Sequence, residues 1–516
     1  MSEKLVEFYR QKIKKSWKIA FVSTFIAGLL VHIYKFTNTL PNHDSVMNYY
    51  ADQNILGSGR WFLSIACGIS SYFDLPWITG LFSIVFIALT AVVIVDLFNI
   101  DNPITITLTG AVLSVSPGIT ETLFFGFTAD GYMVSMFLAA LAVRLSAFEK
   151  KGIGWILVSS GLLCLSCGIY QSYISFALLL MAFYFAFEML ENRHATKEAF
   201  RFIGKQIIIY IIGLVSYYII WQMCMLIQGV SATDYQGIQE LASVSTMSFD
   251  FGAWVQGIVQ AVTSVVFYFI EWNIISNGIT LYAVLNIVFI LMLIIGIVIA
   301  LIKSGILKRK SQFVLFLLSL AFCLPASILW SFVSSDIDYR PMMLVCLSLV
   351  FVFAIVLFER YTNTILQVTI TLLLIVMIIN SCVVANISYY YMNKAYEQTY
   401  AIGIDIISEV RDIDKEFDFE SIAFVGERSD LVLDLTTKYP ESNKIHRLAQ
   451  VLRSDVFLNR PHAESILNEL YAFEYSFTPE EKCIELEQSD EVKAMASWPS
   501  RDAFRVIDDI LVIKLG

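Results

Sequence analysis

Charge is scarce in this chain. Asp, Glu, Lys and Arg make up 16% of its 516 residues, against about 25% in an ordinary soluble domain. Histidine is scarcer still, with five in all, and none of them clusters at zinc-ligand spacing, so no zinc site is supported. Seven of the eight cysteines lie in or near strongly apolar sequence. The one CxxC, Cys164 and Cys167, is a lone pair there and reads as core packing rather than redox or metal chemistry. No small-residue cleavage site follows the first apolar run, so that run is expected to stay as an anchor and not to be removed as a signal peptide. No repeat or low-complexity tract is visible.

What remains is hydrophobic: 57% of the residues, with a mean hydropathy of +0.68. Several uncharged stretches reach the length of about 18 residues that marks a spanning helix. A polytopic α-helical membrane protein follows, with eleven expected spans: 19–36, 77–98, 103–121, 130–147, 153–168, 172–190, 206–229, 279–302, 311–331, 341–358 and 363–388. The stretch 152–190 is divided into two short spans by a turn near Gly168 to Gln171, because one long helix would reverse every later face. Residues 251–272, with Trp254 and Trp272 at their ends, are either a further span or an amphipathic helix lying at the outer interface, the reading that keeps the charge rule intact downstream.

Cations set the orientation. Arg10, Lys12, Lys14, Lys15 and Lys18 precede the first span, and alternation brings to the same side Lys150, Lys151, Arg193, Lys197, Arg201, Lys205, Lys303, Lys308, Arg309, Lys310 and Arg360. The opposite short loops hold only Arg60 and Arg340. The amino terminus is therefore expected in the cytoplasm and the loop 37–76 outside. Composition shifts near residue 391: residues 391–516 carry 25 acidic and 14 basic side chains, a balance of −11, while the rest sums to +1. Alternating runs at 421–426 and 507–515, between helix-like stretches at 395–411 and 443–454, predict a small extracytoplasmic α/β domain. The expected division is thus a membrane domain, 1–390, and an α/β domain, 391–516. The acidity argues against nucleic acid as a partner.

The outward loops collect the polar residues that a plain connection has no use for. NHDSVMNYYADQNILGSGRW (42–61) holds His43, Asp44, Asp52 and Arg60. SPGITETLFFGFTADGY (116–132) holds Glu121 and Asp130, GIYQSY (168–173) holds Tyr170 and Gln171, and SSDIDYRP (334–341) holds Asp336, Asp338 and Arg340. Carboxylates accept hydrogen bonds from sugar hydroxyls, aromatic faces stack on a ring, and arginine suits phosphate. A carboxylate also serves as a general base toward an acceptor hydroxyl. Each acid has a plainer reading as a helix cap or a solvated loop charge, and His32 reads as a packed, hydrogen-bonded histidine.

In order and spacing these segments resemble the bacterial GtrII-type glucosyltransferases, within the broader GT-C class. The resemblance rests on NHDS at 42–45 with GR at 59–60, SPGITETLFFGFTAD at 116–130, YQS at 170–172, the R-P pair at 340–341, and WPS at 498–500 before a terminal VIKLG. It implies a GT-C type membrane enzyme that takes a sugar, typically glucose, from a polyprenyl-phosphate carrier outside the cytoplasmic membrane of a bacterium. The acceptor would be a surface glycan or its lipid-linked precursor. By the same resemblance Asp44 is the catalytic base and Asp52 the second choice. Glu121 and Asp130 bind donor sugar or acceptor, Tyr170 and Gln171 line the cavity, and Arg340 with Arg60 holds the phosphate. A single acid follows His43 where the class commonly has an acidic pair, which weakens the case for a divalent cation; Asp336 and Asp338 are the remaining candidates to ligate one. A polyprenyl-phosphate sugar synthase and a flippase are the implied pathway partners, and the carboxy-terminal domain is expected to cover the cavity or receive the acceptor. Two other accounts are a transporter or flippase of lipid-linked sugars, which calls for polar residues near mid-bilayer or inverted repeats, and a non-catalytic surface-glycan assembly protein.

Overall fold

The computed structural model describes residues 13–147, 152–233, 237–242, 250–270, 281–427, 459–471 and 473–516. Among these, ten helices are long and apolar enough to cross a membrane, and a bent pair makes up to eleven. In chain order the larger helices are α1 (Lys15–Thr37), α2 (Pro76–Phe98), α3 (Pro103–Val115), α4 (Pro117–Phe124), α5 (Gly126–Ala147), α6 (Ile153–Ile169), α7 (Tyr173–Leu190) and α8 (Thr196–Gln228). They continue as α9 (Phe251–Phe269), α10 (Leu281–Lys303), α11 (Lys310–Ser327), α12 (Ser348–Tyr361) and α13 (Thr364–Ile413). Leu291, Ile294, Val298 and Ile302 on α10, and Val368, Leu372, Val376 and Ile379 on α13, are exposed. Such rows would be an aggregation hazard in water and are the lipid-facing surface of a membrane bundle.

The two ends of the bundle differ in chemistry. At one end Asp96, closing α2, pairs with Lys14 and with Arg144 of α5, each at 2.6 Å. Arg193 bonds Glu188 at 3.0 Å, Arg309 donates to the Leu190 carbonyl at 3.0 Å, and Arg360 bonds Glu191 and the Phe98 carbonyl. Cations beside the last carbonyls of α2 and α7 also complement the negative ends of those helix dipoles. The opposite end holds the loop 38–75, the α4–α5 corner, the 170–172 turn and the segment 328–347. The turn falls where the sequence places it, between Ile169 and Tyr173.

One expected span is broken by a bend. Residues 103–121 form two helices, α3 and α4, bent by 43°. Ser116 leaves the helix in extended geometry and its hydroxyl accepts from the Ile119 N–H, while Pro117 supplies the first helical position without a donor to lose. The helix 251–269 passes the length and hydropathy test of a span, yet both its ends meet the loop-bearing end of the bundle. Trp254 Nε1 donates to the Phe332 carbonyl at 3.4 Å, and the Tyr268 carbonyl accepts from Tyr282, near the start of α10, at 2.9 Å. Trp272 lies outside the described residues.

The helix that carries the last expected span continues past 388. Helix α13 runs unbroken for 50 residues to Ile413, so the boundary placed at 390/391 falls inside one rigid element. Beyond it, β1 (Ser421–Val425), β2 (Phe504–Ile507) and β3 (Ile510–Lys514) form a sheet in the order β1-β3-β2, β1–β3 parallel and β2–β3 antiparallel. Helices α14 (Arg460–Tyr471) and α15 (Glu480–Gln488) cover it. Ile406, Val410, Phe424, Ile466, Leu467 and Ile513 make a core that α13 shares. The helix-like stretch 443–454 lies outside the described residues.

Candidate active site

A cavity of about 390 Å³ opens at the loop-bearing end, lined by His43, Asp44, Asn48, Ser58, Arg60, Tyr132, Tyr170 and Arg340, with Phe125, Phe127, Met342 and Met343 as apolar wall. That size is in the range of about 300–1,000 Å³ usual for small-molecule sites, as is the mix of apolar wall and few polar groups.

Asp44 is held by its neighbours in sequence. Asn42 Oδ1 accepts from the Ser45 N–H at 2.8 Å and the Ser45 hydroxyl at 2.9 Å, local side-chain bonds that hold the start of the single 3-10 turn Ser45–Met47. Asn48 returns its side-chain amide to the Asp44 carbonyl at 2.8 Å. The Asp44 carboxylate is left half-exposed, with His43 Nε2 at 3.4 Å.

Arg60 is placed by a different set of contacts. Gln171 Nε2 donates to the Ser58 carbonyl at 2.6 Å and to the Tyr217 hydroxyl at 3.0 Å. Tyr217 in turn donates to the Gly59 carbonyl at 3.2 Å, and Trp221 Nε1 to the Leu56 carbonyl at 2.9 Å. Gly59 has φ +76°, and a Cβ there would run into the Tyr217 hydroxyl and Gln171 amide; only glycine meets both demands. The Arg60 guanidinium then bonds the Tyr132 hydroxyl at 2.9 Å and lies 4.9 Å from the Tyr170 ring centroid. Tyr132 and Tyr170 stack at 4.6 Å with 13° between planes, so cation and rings form one wall.

Arg340 stands just before the 3-10 helix Pro341–Leu347. Glu121 Oε2 accepts the Met342 N–H at 2.6 Å, and Gly118 lets α4 approach the Pro341 carbonyl so closely that a Cβ would clash with it. The SPGITE segment thus reads as a capped, proline-started helix whose acid anchors the arginine-bearing strand of chain.

The cavity gathers Asp44, Arg60, Tyr170 and Arg340 from the residues singled out in the sequence. The others lie elsewhere. Gln171 braces the loop and lines a smaller adjoining chamber with Trp330, Val333 and Ile337. Asp52 is exposed and accepts its own Asn54 N–H at 3.0 Å. Glu121 is buried behind the wall, and Asp130, also buried, accepts the Gly131 N–H at 2.9 Å. Asp336 and Asp338 are exposed, and Asp338 sits 3.7 Å from Arg340 Nε, so Asp338 balances an arginine. No three His, Cys, Asp or Glu side chains among the described residues are grouped to hold a metal ion. These donors do not fit a resident divalent cation, and no step below uses one. His32 bridges Tyr389 at 2.6 Å and the Ser114 carbonyl at 2.8 Å, away from the cavity lining.

Tyr132 was missed in the sequence. Its only signal is its place two residues after Asp130, on a helix whose first turn faces the loops. Asp74, outside the spans, is also new: half-buried, its carboxyl is pushed up by loss of water, with the Lys35 charge opposing the shift.

A bundle of long apolar helices with a small charged cavity at one end is the architecture of a multi-pass membrane protein. Comparison with protein families makes the class specific: residues 33–341 match the model for Glucosyl transferase GtrII, and the chain belongs to that family. The family's activity is glucosyl transfer. No curated protein and no solved structure matches the chain.

Proposed function

We propose that the protein moves glucose from a polyprenyl-phosphate carrier to a surface glycan, or its lipid-linked precursor, at the outer face of the bacterial cytoplasmic membrane. The observation that carries this reading is one cavity holding a half-exposed carboxylate, two arginines and a stacked tyrosine pair. The orientation follows from the cation-rich opposite end, which the positive-inside rule assigns to the cytoplasm.

In this reading the carrier's tail lies among the helices and its phosphate reaches the cavity between Arg60 and Arg340. Their charge offsets the negative charge growing on the leaving phosphate. Asp44 takes the proton from the attacking acceptor hydroxyl as the anomeric C–O bond to phosphate breaks. Tyr132 and Tyr170 offer their faces and hydroxyls to the sugar. Glu121 acts one layer back by fixing the Arg340 segment, and Gln171 acts the same way on the Arg60 loop. Placing the charges at an end of the bundle avoids the cost of ions at mid-bilayer.

The test is transfer by the purified protein in lipid discs to extracted native glycan, with polyprenyl-phosphate glucose and a nucleotide-activated glucose compared as donors. Transfer from the lipid carrier alone is expected. Transfer from the nucleotide sugar alone would overturn the donor assignment.

A further inference from the structure

Asp44 stands on a loop that two bodies share. The 3-10 turn that follows it sends Val46 out of the bundle and into the apolar core of the carboxy-terminal domain. There Val46 is 1% exposed among Ile402, Ile406, Ala463 and Ile466, and Tyr49 packs on the same cluster. On the other side of Asp44, the His43 ring lies 6.4 Å, centroid to centroid, from His462 of α14. His462 is itself fixed: its Nδ1 is 2.5 Å from Asn459 Oδ1. An amide oxygen only accepts, so Nδ1 carries the hydrogen and Nε2 is the ring's other polar atom. His462 and Asp44 are close enough to feel each other's charge, the carboxylate opposing the burial that lowers the histidine pKa.

We infer that the carboxy-terminal domain is a clamp on the catalytic loop, and that His462, packed on His43, is a positioning residue for Asp44. This rests on Asp44 as the base. A three-residue 3-10 turn has little internal rigidity, and a general base must stay within about 2.6–3.2 Å of the proton it removes. The bundle pins residues 55–60 through Tyr217, Trp221 and Gln171, but residues 43–49 take their apolar anchors from the other domain. His462 lies well beyond the family match, which ends at 341. The clamp assigns the domain a role in turnover; a domain that only received the acceptor would act on acceptor binding.

Two measurements on the full-length protein test this. In steady-state transfer, His462→Ala is expected to lower kcat about 10-fold with donor and acceptor KM unchanged, since a misplaced group costs rate rather than binding. His462→Phe, which restores a ring beside His43, is expected to recover most of the loss. In hydrogen exchange, amides 45–49 should exchange faster in His462→Ala while amides 56–60 stay as in wild type, a readout that needs no substrate. Wild-type kcat and unchanged exchange in His462→Ala would overturn the inference, as would a raised acceptor KM with kcat retained. Asp44→Asn, run alongside, separates the failures: full activity there would sink the base assignment itself, whatever His462 does.

Discussion

Gly59→Ala tests how the GR pair places its arginine. The φ of +76° at Gly59 costs a residue with a Cβ about 1–2 kcal/mol. The new methyl must also displace the Tyr217 hydroxyl and the Gln171 amide, and overpacking of this kind costs about 1–3 kcal/mol. The sum is about 2–5 kcal/mol, concentrated where Gln171 and Tyr217 hold the Ser58 and Gly59 carbonyls. The fold has many other contacts, so the loop is expected to yield before the bundle does. Arg60 then loses its place against Tyr132 and Tyr170. The assay pairs thermal unfolding in detergent with binding of polyprenyl-phosphate glucose: a lowered Tm and donor affinity weakened by at least about 10-fold are expected. Wild-type values for both in Gly59→Ala would refute the reasoning.

Other perturbations separate the remaining parts. Arg60→Lys keeps the charge but loses the planar contact with Tyr170, and donor affinity should fall several-fold, about 1 kcal/mol, by direct binding measurement. Glu121→Gln retains an acceptor for the Met342 N–H and should fold and transfer nearly as wild type, whereas Glu121→Ala leaves that buried donor unmet and should cost about 1–3 kcal/mol in thermal unfolding. The His462 pKa is lowered by burial, so the folded state binds fewer protons than the unfolded one below the ordinary histidine value of about 6.5. Seating of the carboxy-terminal domain should therefore weaken as pH falls through that value and strengthen above it. His462→Gln should flatten the dependence, read by limited proteolysis against pH.

Most of the long apolar helices were legible because hydropathy is local and repeated along the chain, although Ile153–Ile169 falls short of a span's length and Phe251–Phe269 reaches it. The break at Ser116 was not, since residues 103–121 are continuously apolar enough to hide a capped, proline-started second helix. The SPG at 116–118 is the punctuation that marks it: a serine cap followed by proline at the first helical position. Loop polarity singled out Asp44, Arg60 and Arg340, which the fold brings to one cavity, but could not separate Asp44 from Asp52: both are acids in the same loop, and only the bonds from Asn42 to Ser45 and the packing of Val46 set them apart. Glu121 and Asp130 read as acids at helix ends beside an outward loop, and the depth to which the α4–α5 corner buries both was not visible. His462 was out of reach, because its neighbour in space lies more than 400 residues earlier in the chain, and periodicity carries nothing over that distance.

The proposed chemistry stands or falls on Asp44. Transfer from polyprenyl-phosphate glucose to native glycan should be measured with wild type and Asp44→Asn, each first shown to be folded and to bind donor. Loss of the base should slow transfer by about 10²–10⁴-fold with donor binding kept. Equal transfer by the two proteins would contradict the proposed chemistry and leave the cavity without its base.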